Sequence, residues 1–238
     1  IKVEKIRKAE RSEYDPHDFL PQSELDPQEL FATLQAWAKT IANPFLRELV
    51  RRCFADRELR DRFCQAPAGK LWHHPYLGGL LEHTVSVVSL CLKAAEQYPL
   101  VDRDLLLTGA ILHDIGKTKE YRWTTFIDYT DEGRLIGHVV LGEKMVSEKV
   151  EQIPGFPEEL RKRLSHLILS HHGQREFGSP VVPMTTEAIV LYYADELDAK
   201  MGALERIIKE EKEPHRGWSS WVRLMQRFIY FGQEEDGE

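Results

Sequence analysis

Residues 102 to 117 read Asp102-Arg103-Asp104-Leu105-Leu106-Leu107-Thr108-Gly109-Ala110-Ile111-Leu112-His113-Asp114-Ile115-Gly116-Lys117. Asp102 is a helix N-cap residue, and Leu105, Leu106, Ile111 and Leu112 follow at helical spacing. The pattern predicts a helix that stops near Gly116. That glycine is either a C-cap or a point where the backbone opens to a substrate, and the two are compatible. His113-Asp114 brings two polar side chains to the end of an apolar stripe. A buried polar group without a partner costs roughly 1–3 kcal/mol. The pair therefore calls for partners elsewhere in the chain.

Outward from this stretch the signals stay helical. Asp26-Pro27 starts one helix, with Leu30, Phe31, Leu34, Trp37, Ala38 and Ile41 behind it. Asn43-Pro44 starts another, carrying Phe45, Leu46, Leu49, Val50, Cys53 and Phe54. A helix from Gly79 to Gln97 places Leu80, His83, Val87, Leu90 and Ala94 on one stripe. Further helices are predicted over 137–152, 157–172 and 185–211, and Trp218, Trp221, Leu224, Phe228 and Ile229 suggest a last one. Only Arg122 to Tyr129 reads as strand, with turn chemistry at Asp131-Glu132-Gly133, which predicts a short hairpin or flap. The expected class is all-α, with one main domain over 28–230 and an acidic tail at 231–238. Residues 1–27 read as an N-terminal extension or linker. Ile1, Val3 and Ile6 resemble the end of a strand or an ordinary ragged terminus, and Glu13 to Pro27 is polar with three prolines.

The 238 residues are 42% apolar and 30% charged, enough to bury a core, which excludes wholesale disorder and fibrous repeats. No apolar run approaches the ~18 residues of a membrane helix, and Ile1-Lys2-Val3-Glu4-Lys5 lacks the apolar run of a signal peptide. Cys53, Cys64 and Cys91 are scattered and odd in number. They predict no disulfide framework and a reducing, cytoplasmic setting. The net charge of −7 disfavours a wholly basic nucleic-acid coat but leaves room for a local basic groove.

Seven of the ten histidines fall in short motif-like contexts: His73-His74, His83, His113, His138 and His171-His172. Asp195 follows in Ala194-Asp195-Glu196-Leu197-Asp198. A lone histidine on an apolar stripe is usually a satisfied core residue. Several together with in-stripe carboxylates point instead to one shared metal centre, which removes the burial cost for all of them. Imidazole and carboxylate donors suit Mn, Fe, Co, Ni or Zn, and the absence of cysteine from the set argues against structural zinc.

His83, then His113-Asp114, then Asp195 resembles the HD-domain phosphohydrolase superfamily, whose pattern is H…HD…D on a helical bundle. The added His138 and His171-His172 resemble its two-metal subset. The resemblance covers roughly residues 70–205. More narrowly, His73-His74-Pro75-Tyr76-Leu77-Gly78-Gly79-Leu80-Leu81-Glu82-His83-Thr84, Ser170-His171-His172-Gly173 and Tyr193-Ala194-Asp195-Glu196-Leu197-Asp198-Ala199-Lys200 look like the YhaM-type 3′→5′ exoribonucleases. Members of that group carry an N-terminal OB-fold. No room for a five-stranded barrel exists before residue 28, so a fragment and a shortened relative are both open, with Ile1 to Ile6 as a candidate last strand.

The resemblance implies that Asp114 bridges two metals, with manganese favoured. His83, His113 and Asp195 would complete one site, and His138 with one or both of His171 and His172 the other. Two such cations acidify a bridging water to hydroxide and clamp a phosphate oxygen. No nucleophilic side chain is needed, and the chain has neither a G-x-S-x-G elbow nor a P-loop. Lys117 is read as a phosphate contact or as a helix-end cation. His73, His74 and Tyr76 are read at the substrate entrance, or as loop histidines and core packing. Asp198 is read as orienting a ligand, or as a solvated residue. Arg51-Arg52, Arg57, Arg60, Arg62 and Arg161-Lys162-Arg163 are read as solvated faces or as a phosphate track.

The implied function is a metal-dependent phosphodiesterase, a 3′→5′ exoribonuclease acting on single-stranded RNA or short oligonucleotides. The alternatives are an HD-type nucleotide or cyclic-dinucleotide phosphohydrolase, and a non-catalytic, metal-stabilised regulatory or RNA-binding module. No Gly-Tyr-Pro tripeptide follows Lys117, which weakens the cyclic-dinucleotide version, and the full ligand set ranks the inert module last. No membrane association is expected, and oligomerisation is open.

Overall fold

Side-chain caps start several of the helices, two of them (Arg57–Gln65 and Asp131–Ile136) where the sequence reading places none. The computed structural model describes residues 2–14, 16–211, 217–223 and 225–232. Asp26 accepts a hydrogen bond from Gln28 N at the head of α1 (Pro27–Lys39), and Asn43 accepts from Phe45 N and Leu46 N at the head of α2 (Pro44–Ala55). Asp56 caps α3 (Arg57–Gln65), and α4 spans Gly79–Gln97. Asp102 accepts from Leu105 N and opens α5 (Arg103–Leu112). After a turn come α6 (Lys117–Glu120), β1 (Tyr121–Trp123), β2 (Ile127–Tyr129) and α7 (Asp131–Ile136). The long helices α8 (His138–Glu151), α9 (Glu158–Ser170) and α10 (Thr186–Glu211) complete the bundle.

Every residue of α5 from Leu105 to Leu112 is buried, so this helix is the axis of the core. It packs against α1, α2, α4, α9 and α10. That explains its nearly continuous apolar run, since a helix enclosed on all sides needs no polar face. Cys53 and Cys91 are buried in the same core, and burial pushes the Cys53 thiol up to about 12. All three cysteines are free thiols. Among the described residues no helix is long and apolar enough to cross a membrane.

The central helix ends at Leu112 and a new one begins at Lys117, so the chain turns inside the motif His113-Asp114-Ile115-Gly116. Gly116 has φ −63°, a right-handed conformation, so it is no left-handed C-cap. A Cβ there would lie 2.0 Å from the carbonyl oxygen of His138 and 2.6 Å from Gly142 N. The glycine is needed because α8 passes directly over it.

The small sheet is antiparallel, with Tyr121 opposite Tyr129 and Trp123 opposite Ile127. The hairpin is where the β-branched and aromatic residues predict it, but its turn lies at residues 124–126. Asp131-Glu132-Gly133 instead opens α7, because Thr130 accepts from Gly133 N and caps a helix there. The last predicted helix is also replaced. Trp218 pairs with Tyr230 and Val222 with Arg227 in antiparallel bridges, while Leu224 lies outside the described residues. Burial alternates from Phe228 to Phe231, the period of a strand. At the other end residues 2–10 form neither helix nor strand. Gln22 bridges Leu77 in parallel, seating the N-terminal segment on the loop before α4. Residues 233–238 of the acidic tail lie outside the described residues.

Candidate metal centre

Five histidines and two aspartates from separate helices meet beside the turn after α5. In each histidine the Nδ1–H is already committed. His113 donates it to Ala110 O at 2.8 Å, His171 to Ile168 O at 2.6 Å and His172 to Phe177 O at 2.8 Å. The first two bonds use the carbonyl three residues back, so the local turn itself aims the ring. His83 donates to Asp198 Oδ2 at 2.6 Å and His138 to Glu120 Oε1 at 2.9 Å. Fixing Nδ1 as the donor leaves Nε2 with the lone pair. All five Nε2 atoms then face inward.

The inward atoms fall into two groups. His83 Nε2 lies 3.3 Å from His113 Nε2, 3.1 Å from Asp195 Oδ1 and 3.4 Å from Asp114 Oδ2. His138 Nε2 lies 3.2 Å from His172 Nε2 and 3.4 Å from Asp114 Oδ1, and His171 Nε2 is 3.4 Å from that same oxygen. The Asp114 carboxylate thus shows one oxygen to each group. Within the protein, Asp114 Oδ1 and His171 Nε2 are buried without a hydrogen-bond partner.

Lone pairs held face to face at these distances repel unless a cation lies between them. Ligand atoms about 2.1 Å from a tetrahedral centre stand about 3.4 Å apart, which is the spacing found. The residues therefore fit divalent cations in both groups. Electrostatics agree. Burial disfavours positive charge on His83, but Asp114, Asp195 and Asp198 outweigh it and raise its proton affinity well above the usual value. Burial pushes His172 down to about 3, aided by His171 and His138, and lowers His171 as well. These two rings are neutral donors.

Lys117 is buried at the start of α6, and its Nζ lies 2.5 Å from Asp114 Oδ2. It does not stand at the end of α5, so the helix-end reading gives way to an ion pair inside the centre. Burial opposes its charge, but Asp114 and Asp195 outweigh that and raise its pKa.

His73 sits above His83 with ring centroids 5.2 Å apart, and both its ring nitrogens are buried and unpartnered. Burial, with the charges of Lys117 and His83, holds its pKa well below the usual value. His74 and Tyr76 lie elsewhere, on the Nδ1 side of His83. His74 Nε2 is 3.2 Å from Asp198 Oδ2, and its Nδ1 is 2.6 Å from the Tyr76 hydroxyl. That hydroxyl donates to Glu82 Oε1 at 2.9 Å, and Ser23 Oγ donates to Glu82 Oε2 at 2.5 Å. His74 and Tyr76, read as substrate contacts, thus stand in a chain of bonds that ends on His83 Nδ1, away from the inward-facing Nε2 atoms.

Glu120 escaped the sequence reading. It accepts from both the backbone N and the Nδ1 of His138, at 3.1 and 2.9 Å. Its position three residues after Lys117 in a buried turn is the only local sign of it. The arginine clusters are internally paired. Arg51 and Arg52 bond Glu48, Arg161 pairs with Glu151 and Arg163 with Glu187. Arg62 bonds the carbonyls of Thr118 and Tyr121.

The HD domain family model matches residues 80–200. The chain is 37% identical over 213 residues to the 3′-5′ exoribonuclease YhaM of Bacillus subtilis strain 168, covering 89% of this chain and 67% of that protein. The YhaM of Bacillus velezensis matches at 37% with the same coverage. That of a Geobacillus species is 33% identical over 213 residues, covering 89% of this chain and 65% of the relative. No solved structure matches.

Proposed function

Because the chain belongs to the HD domain family and, within it, to the YhaM-type 3′-5′ exoribonucleases, we propose that it removes nucleotides from the 3′ end of single-stranded RNA. The observation that carries this reading is Asp114, whose two oxygens serve two separate groups of inward-facing imidazoles. Divalent cations at these positions supply Lewis acidity toward a phosphate diester and toward water.

The protein's part is to hold and aim. His83, His113 and Asp195 with Asp114 Oδ2 hold one cation; His138, His171 and His172 with Oδ1 hold the other. Manganese is the metal we favour from the resemblance; the imidazole and carboxylate donors, without thiolate, accept it along with Fe, Co, Ni or Zn. Asp198 and Glu120 fix the tautomers of His83 and His138 from behind. Lys117 sets a permanent positive charge beside the reacting phosphate. His73 offers its free ring nitrogens to the substrate, whereas His74 and Tyr76 act through Asp198 on His83. The HD bundle occupies residues 28–230, with 1–27 as its N-terminal extension, and the three free thiols support a cytoplasmic setting.

The test uses manganese-loaded protein with 5′-labelled single-stranded RNA, mononucleotides and cyclic dinucleotides. A ladder shortening from the 3′ end is expected. Hydrolysis confined to the small nucleotides would overturn the RNA reading.

A further inference from the structure

Residues 217–232 read Gly-Trp-Ser-Ser-Trp-Val-Arg-Leu-Met-Gln-Arg-Phe-Ile-Tyr-Phe-Gly. The stretch holds five aromatic residues and two arginines and no acidic residue, in a chain of net charge −7. Its described residues form the hairpin-like turn in which Ser219 N donates to Ile229 O and Phe231 N to Gly217 O, both at 2.8 Å. One side is seated. Val222, Met225, Ile229 and Phe231 pack on Ala203 and Ile207 of α10 and on Trp72.

The other side is not covered. Trp218, Trp221, Phe228 and Tyr230 are each 54–56% exposed. They form two ring pairs, Trp218 with Tyr230 at 4.7 Å and Trp221 with Phe228 at 5.1 Å between centroids. Four large rings held more than half in water are unusual for a surface with no partner. A cavity of about 500 Å³ opens between Trp218 and Phe228, with Ser219 and Ser220 on its wall. Arg223 and Arg227 are exposed on the same turn and have no carboxylate partner among the described residues.

We propose that this aromatic turn is a stacking platform for unpaired bases of the RNA, upstream of the end held in the metal centre. Single-strand binders combine aromatic faces, which accept any base, with cationic groups for the backbone. Both are present here, and the turn itself carries no acidic residue; the Glu211 carboxylate at the end of α10 accepts from Ser220 N at 2.7 Å and so is already engaged by the backbone. The turn is seated close to the site in the chain, since Trp72 packs beneath it and the next residue, His73, stands against His83. A paired duplex does not fit, because its bases are already stacked on one another.

The inference rests on the RNA reading above, and the test separates the two. Manganese-loaded parent, Trp218→Ala, Trp221→Ala and Trp218→Phe are assayed on single-stranded RNA of about 12 nucleotides and on bis(p-nitrophenyl) phosphate, which has no second base. Each alanine should raise KM for RNA about tenfold, and Trp218→Phe should stay near the parent. Turnover of the small diester should hold in all, showing that the centre is intact. Unchanged KM for RNA in both alanine variants overturns the platform. So does a fall in sedimentation coefficient in the alanine variants, which would make this face a contact between copies. A parent that cleaves the diester but no RNA overturns the proposed function itself, a result distinct from either.

Discussion

Asp114 and Lys117 form one electrostatic unit, and the two residues fail differently. Asp114→Ala removes an oxygen from each ligand group, so metal content measured by atomic emission should fall at both positions and hydrolysis should vanish. It also strands the Lys117 ammonium in the core, where an unpaired buried charge costs about 3–5 kcal/mol. The metal-free variant should therefore melt well below the parent, and adding Lys117→Met should recover much of that loss without restoring activity. If Asp114→Ala alone melts like the parent, the ion pair contributes little. Lys117→Ala by itself removes no donor. Metal content should persist while kcat falls by about 10²–10³, the usual effect of one group that stabilises developing charge. A fall confined to KM would make Lys117 a docking residue only. The inward-facing residues were legible because histidines and aspartates on apolar stripes carry a burial cost that a shared cation removes. Glu120, Glu82 and the true position of His74 were not, since each acts through another residue's Nδ1 and only tertiary packing pairs them.

At the scale of elements, the crossing of α6 and α8 decides whether His138 reaches Asp114. The carbonyl of His138 lies over Gly116, where a Cβ would come within 2.0 Å. Backbone on backbone cannot give way as a side chain would, so Gly116→Ala should push α8 outward and carry His138 with it. The expected result is one cation bound instead of two, with a loss of stability of about 1–3 kcal/mol in urea unfolding. Two bound cations and unchanged stability would show that the helices slide freely. Caps and apolar periodicity made the long helices readable, while the short α3, α6 and α7 were not read as helices. The two misread segments share a cause. Trp218, Trp221, Phe228 and Ile229 satisfy helical spacing, and only the alternation of burial from Phe228 to Phe231 marks extended chain. The turn chemistry at Asp131-Glu132-Gly133 likewise serves a helix start once Thr130 stands before it.

Across the whole molecule, the N-terminal segment touches the metal centre without entering it. Ser23 N donates to Leu77 O, Leu77 N donates to Pro21 O, and Ser23 Oγ holds Glu82. From Glu82 the bonds run through Tyr76, His74 and Asp198 to His83. Deleting residues 1–25 removes none of the proposed ligands, yet it releases one oxygen of Glu82 and loosens the loop that carries His74. Partners behind a metal-bound histidine typically govern affinity by about 10–100-fold. Metal titration by calorimetry should show weaker binding at the His83 position and little change at the His138 position. Equal affinities in both proteins would mean that the bonds behind His83 are packing alone.

The donors span residues 83 to 195 and sit on or beside α4, α5, α8, α9 and α10. Ions held as proposed would act as cross-links between distant parts of the chain, and the bundle could not open without surrendering them. Anything that binds only the folded state slows the escape of open forms to proteases. Limited proteolysis should accelerate when a chelator is added and slow again when metal is returned, at protease concentrations where both forms are otherwise folded. In a cell, metal supply would then govern the lifetime of this protein along with its rate of work.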